Sequence, residues 1–285
     1  LGVENTTSYA AVYEVIQEPM RRLAEAIAAQ VSSVNGGAPS AVFLAGGGSR
    51  LRELREDTGA HFAVVNGENA SGVGITPAQA RRMLEAGADV ITLGNHTWNR
   101  IQIGEFLDKD PHILRPANYA GRVPGRGMGI YQCQGQRVAV LNLMGRVELN
   151  PNLDSPFKAT NFLLRGQDYD LALVDFHAEA TSEKGAMGYY LDGRAQAVWG
   201  THTHVPTADG QILPKGLGFV TDLGMTGPAE SVLGIRPEQA VNRFLGGLPR
   251  RFEPAPGPCK LESVLFSIDT DQRRCVSVER VDIRA

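Results

Sequence analysis

Apolar residues recur along this chain in two rhythms. From Thr6 to Val31 they fall at helical spacing, through Val12, Val15, Ile16, Met20, Leu23, Ile27 and Val31. That spacing predicts one kinked helix, or two short ones with Pro19 opening the second. The loop "VNGGAPS" follows, then "AVFLAGGGSR", a short buried strand running into glycines, and "LRELRED", a short helix. After Gly59 strands and helices alternate. "HFAVVNGEN" reads as a strand, "TPAQARRMLEAG" as a helix capped by Thr76 with Pro77 at its first position, and "ADVITLGNH" as another strand. "RVAVLNLMG", "DLALVDFH" and "AQAVWGTHTH" are further apolar runs, and "ESVLFSIDTDQRRCVSVERVDI" predicts a terminal hairpin turning at Asp269 to Arg273. The pattern predicts an α/β fold, a sheet covered by helices. The glycine-rich stretches "NYAGRVPGRGMG" and "TDLGMTGPAESVLG" are loops long enough to wall a site.

The 285 residues, 42% of them hydrophobic, suffice for one large domain, or one domain with a short appendage. Lys and Arg number 28 against 31 Asp and Glu, a net charge of -3, so there is no basic footprint for a nucleic-acid polymer. A nucleotide met by this chain is expected as a small substrate. Cys133, Cys259 and Cys275 lack the paired spacing of a zinc ribbon or a redox CxxC and suit a reducing cytosol. No apolar run approaches the roughly 18 residues of a spanning helix, and residues 1 to 30 lack the order of a signal peptide. The expectation is a soluble cytoplasmic protein with no membrane partner.

Polar residues collect where the apolar runs stop: Glu68 and Asn69, Asn95 and His96, Asp175 and His177, His202 and His204. Each ending alone reads as a turn or a satisfied core histidine. Four of them in one topological position imply one crevice, because ligands bind at the carboxyl ends of strands in such sheets. If the chain stays extended through "GTHTH", His202 and His204 face the same side. One carboxylate, two amides and three imidazoles without thiolate suit Mn, Fe or Zn, and argue against copper or an iron–sulfur cluster. More donors than one tetrahedral ion requires point to two metals sharing a carboxylate, and so to phosphoester hydrolysis.

"NGENASGVGIT", "GNHTW", "LRPANY", "VDFHAEATSEKGAMGYYLDGR", "VWGTHTHVPTADGQILPKG" and "TDLGMTGP" occur in order from about His61 to the C-terminus. Together they resemble the bacterial calcineurin-like phosphoesterase family typified by the YmdB proteins. The resemblance implies a metallophosphoesterase α/β/β/α sandwich and metal-dependent hydrolysis of small phosphodiesters, including 2′,3′-cyclic nucleotides. It implies two metal ions, Fe or Mn, with Glu68 bridging them. Asn69, Asn95, His177 and His202 would complete one site, His204 would belong to the other, and His96 would be the general acid. A homo-oligomer is compatible with this reading.

Members of that family begin with a strand ending in "GDV", whose Asp binds the same ion as His204. Here Gly46 or Gly47 stands in its place. Residues 1 to 54 are instead similar to the last helix, strand and glycine turn of actin and Hsp70 ATPases, through "GGGSR". The expectation is a phosphoesterase domain over 55 to 285 whose first strand and helix are replaced by a foreign segment. Either "AVFLAGGG" fills the vacant sheet position, or it leaves an exposed edge. In both cases the ion at His204 is short of one carboxylate and keeps only the bridging Glu68. A catalytically silent metal- or nucleotide-binding module is the other expectation.

Overall fold

The computed structural model describes residues 40–44, 51–149, 152–248 and 250–284. The helices expected before Ser40 and the glycine turn at Gly46 to Ser49 lie outside them.

The apolar runs become the inner strands of two six-stranded sheets. The first sheet contains β1 (Ser40–Leu44), β2 (Phe62–Asn66), β3 (Val90–Thr92) and β4 (Ile113–Leu114), all parallel, with β13 (Val264–Asp269) and β14 (Arg274–Arg280) antiparallel beyond β1. "AVFL" thus lies between β2 and β13. The second sheet runs β5 (Met128–Cys133), β6 (Gln136–Met144), β7 (Leu171–His177), β8 (Ala197–Thr201), β10 (Gly218–Val220) and β9 (Gln211–Ile212). Its four central strands are parallel and its two edges antiparallel. A small third sheet joins β11 (Thr226–Pro228), β12 (Cys259–Leu261) and β15 (Ile283–Arg284). The β5–β6 hairpin was not expected from the sequence. It turns on Gln134 and Gly135, both at positive φ (49° and 77°), the backbone a two-residue hairpin requires.

Three hydrophobic clusters follow from the alternation of each strand. Val64, Val90, Val140, Leu173, Trp199 and Phe266 meet between the two large sheets. The intervening residues turn outward. Val65 and Ile91 pack with Leu51, Leu54 and Leu107 on the helices Leu51–Thr58 and Ile103–Lys109. Val174, Phe176 and Val198 pack with Leu164, Met187 and Leu191 on the helices Pro156–Leu164 and Thr181–Leu191. The layers are helix, sheet, sheet, helix. The helix Pro77–Glu85 starts as its sequence dictates: Thr76 and Gln79 exchange side-chain and backbone bonds in a capping box, with Pro77 in the first turn.

Register also delivers the chemistry. On β7, Leu171 and Leu173 face the other sheet, so Asp175 and His177 face it too, at the strand's carboxyl end. Below them Asn142 of β6 donates to the carbonyls of Leu93 and Leu114, 2.8 and 2.9 Å away, and bridges the two sheets. Among the described residues, no helix is long and apolar enough to cross a membrane.

Candidate functional site

Glu68 sits just past β2 and is almost fully buried. Its two carboxylate oxygens accept the backbone N–H groups of Gly94 and His96, which ties the loop after β2 to the loop after β3. Burial pushes its carboxyl up to about 7, against the lowering effect of those two bonds. His177 Nε2 lies 3.8 Å from it. That imidazole is itself held well below the usual histidine range, chiefly by burial, so it offers no compensating charge.

A chain of hydrogen bonds fixes the His177 ring. Thr201 is its register partner on β8. The Thr201 hydroxyl donates to Asp175 Oδ1 at 2.8 Å, which leaves its oxygen to accept the proton on His177 Nδ1 at 3.0 Å. Asp175 is fully buried, its other oxygen accepting from Thr92 Oγ1 (2.5 Å) and Asn66 Nδ2 (3.2 Å). Burial raises its carboxyl to about 6, so it remains an acceptor at neutral pH. With Nδ1 carrying the proton, the Nε2 lone pair of His177 points into the site. There it meets Asn95 Oδ1 at 2.8 Å and His202 Nδ1 at 3.2 Å.

His202 is oriented from its other nitrogen, whose contact with Glu179 is 2.9 Å. Burial lowers this imidazole as well, with Glu179 opposing, so the neutral ring donates from Nε2 and turns its Nδ1 lone pair to His177. Asn69 and His204 form a second group, with Asn69 Nδ2 3.0 Å from His204 Nε2. The sequence reading placed Asn69 with Asn95, His177 and His202; its amide faces His204 instead. The extended-chain argument for His202 and His204 also needs correction. β8 ends at Thr201, and the two histidines have φ of 104° and 63°. A turn, not strand alternation, brings them together.

These residues fit a cation. Two imidazole lone pairs and an amide oxygen face one another with no donor between them, beside a buried carboxylate whose oxygens each accept one backbone N–H. Asn69 Oδ1 is buried with no hydrogen-bond partner. Among the described residues, no group of three or more His, Cys, Asp and Glu side chains alone is arranged to hold an ion. His96 stands at the rim, its Nε2 3.4 Å from Asn95 Nδ2. The sequence reading did not assign Glu179 or Thr201, and named Asp175 only as a neighbour. The signal for Asp175 and Glu179 was their position two residues either side of His177 in "DFHAE".

Gly94 is required by this packing, since a Cβ there would come within 2.5 Å of three atoms of the His177 ring. Gly94→Ala is expected to lose about 1–3 kcal/mol of stability and to lower metal uptake, checked by thermal melting and metal analysis.

The family model described as YmdB-like protein matches residues 47–281. A Bacillus subtilis protein named 2′,3′-cyclic-nucleotide 2′-phosphodiesterase is 46% identical over 224 residues, 78% of this chain and 84% of its own length. A crystal structure of a hypothetical protein from Thermus thermophilus has 36% identity and a TM-score of 0.79, covering 86% of this chain and 99% of its own. A structure described as a novel phosphatase from Mycoplasma pneumoniae has 33% identity and the same TM-score, covering 86% of this chain and 94% of its own. The two packed sheets with flanking helices are the calcineurin-like metallophosphoesterase sandwich. With Glu68, Asn69, Asn95, His96, His177, His202 and His204 all inside the matched region, the chain belongs to the YmdB-like protein family.

Proposed function

We propose that this chain is a metal-dependent phosphodiesterase acting on small phosphodiesters of the 2′,3′-cyclic nucleotide kind. The observation that carries the reading is the convergence of the His177 Nε2 and His202 Nδ1 lone pairs with Asn95 Oδ1 beside buried Glu68. Those four residues would hold one ion. Glu68, Asn69 and His204 would hold the other, a regrouping supported by the Asn69–His204 contact. Mn and Fe suit this mixture of imidazole, amide and carboxylate. A bound ion would supply Lewis-acid polarisation of the phosphoryl oxygens and a more acidic water.

The chain's own groups do the rest. Thr201 with Asp175, and Glu179, orient the two imidazoles and fix which nitrogen faces the site, while burial keeps the rings neutral. Glu68 fixes the Asn95–His96 loop through the His96 N–H. His96 gives a proton to the leaving oxygen, because expulsion of an alkoxide is slow unless it is protonated as the bond breaks. The name of the Bacillus relative supports the substrate class.

The same reading treats residues 1 to 54 as a segment that stands in for the family's first strand and helix. The family match begins at residue 47, and β1 pairs with β2 and β13. Gly46 or Gly47 in place of the family's aspartate favours a second reading, a silent metal- or nucleotide-binding module.

One experiment separates them. After removal of metal and reloading with Mn, metal per chain is measured together with hydrolysis of 2′,3′-cyclic AMP. We expect one ion retained through dialysis, a second taken up only in excess Mn, and turnover that is abolished by chelation. Nucleotide binding without hydrolysis at any Mn concentration would leave the silent module.

A further inference from the structure

We propose that the buried pair Lys184–Asp222 is a positioning device, which holds the His202–Thr203–His204 turn in the shape that aims both imidazoles at the site. The inference rests on the proposed metal-binding reading of those histidines.

Lys184 lies on the helix Thr181–Leu191 and Asp222 just beyond β10, 38 residues away in sequence. Both side chains are withdrawn from solvent, with 1% and 0% exposure, and Lys184 Nζ meets Asp222 Oδ2 at 2.8 Å. The same carboxylate oxygen accepts the Thr203 hydroxyl at 2.7 Å and the Thr203 N–H at 3.2 Å. Its partner oxygen accepts the N–H of Gly224 at 2.9 Å. One carboxylate therefore grips, by both backbone and side chain, the single residue between the two histidines.

That grip is placed where the backbone needs it. His202 and His204 both lie at positive φ, a region that side-chain-bearing residues adopt only when their surroundings impose it. With Thr203 released, the turn would relax toward ordinary backbone and the two rings would separate. Asp222 also takes part in a second brace of the same loop. Its N–H donates to Thr207 Oγ1 at 2.9 Å, and its carbonyl accepts the Thr207 N–H at 3.1 Å.

Lys184 neutralises the carboxylate that does this work, and the fold makes room for it. Gly200, on β8 immediately before Thr201, lies over the lysine stem; a Cβ there would come within 2.8 Å of Lys184 Cδ and would collide with the Thr221 carbonyl. A buried ion pair adds little to stability compared with apolar residues of the same volume. Its value here is geometric.

The test uses two variants of the full chain and Mn and Co(II) as probes. The double variant Lys184→Met with Asp222→Leu removes both charges at similar volume, which avoids an unpaired buried charge. Thr203→Val keeps the ion pair and removes only the hydroxyl bond. We expect the double variant to fold but to melt several degrees or more below the wild type, because Thr203 and Gly224 lose their acceptor. Its Mn affinity should be about 10–100-fold weaker, the scale seen when groups that orient metal ligands are removed, and its Co(II) electronic spectrum should be altered. Thr203→Val should show a smaller change in the same direction. A merely structural pair would move the melting temperature and leave affinity and spectrum alone, and that outcome overturns the proposal. If the double variant fails to fold, Thr203→Val decides: unchanged Mn affinity and Co(II) spectrum overturn it. A wild-type chain that binds neither ion would instead remove the metal-site reading, and this inference with it.

Discussion

Exchange of His177 for alanine is expected to leave a folded chain that takes up less Mn and hydrolyses a phosphodiester at least about a thousandfold more slowly. The magnitude follows from what the ring does. Its Nε2 lone pair is the point on which Asn95, His202 and Glu68 converge, so its loss breaks the cluster at the centre. Metal assistance contributes several kcal/mol to a phosphoryl-transfer barrier, and each 1.36 kcal/mol is about a factor of ten. The ring is also buried, so the exchange leaves a cavity and should cost about 2–4 kcal/mol of stability. Asp175→Asn separates the roles. It keeps the ligand and spoils the acceptor that orients Thr201, so a milder loss of about 10–100-fold in metal affinity is expected. Metal content by mass spectrometry and turnover of 2′,3′-cyclic AMP are the readouts. Wild-type metal content and activity in His177→Ala would sink the assignment of His177.

What the sequence made legible was governed by local rules. Continuous apolar runs such as "DLALVDFH" became central parallel strands, because a strand covered on both faces needs no polar alternation. Thr76 and Pro77 marked a helix start through capping chemistry that acts within four residues. The strand endings marked the candidate site, since topology alone brings carboxyl ends together. The failures have a common cause. The helix Thr181–Leu191 carries Gly185 and Gly188 and shows little sidedness in its sequence. Gly188 is there because Phe219 packs against it, a contact 31 positions away. The shape of the "THTH" turn depends on Asp222 in the same manner, and the tautomer of His177 depends on Thr201 and Asp175. The side chains that gather in the candidate site could be named from the sequence. How they group, and what aims them, is set by long-range contacts that no local pattern carries.

His96→Ala is expected to lose about 10²–10⁴-fold on a 2′,3′-cyclic nucleotide, the usual contribution of a positioned proton donor, and to lose far less on bis(p-nitrophenyl) phosphate. The first ester must expel a ribose oxygen, a strongly basic leaving group that gains most from protonation as its bond breaks. Nitrophenolate departs readily without a proton. Metal content should stay at the wild-type level, because the link from residue 96 to Glu68 runs through the backbone N–H, which the exchange retains. The side chain itself makes a long contact with Asn95 at the rim, so its removal is expected to leave His177, His202 and Asn95 in place. Kinetics on the two esters, with metal analysis of the same samples, give the answer. Equal losses on both substrates at full metal content would make His96 a substrate-binding group, and depleted metal would make it part of the cage; either result removes it as the acid.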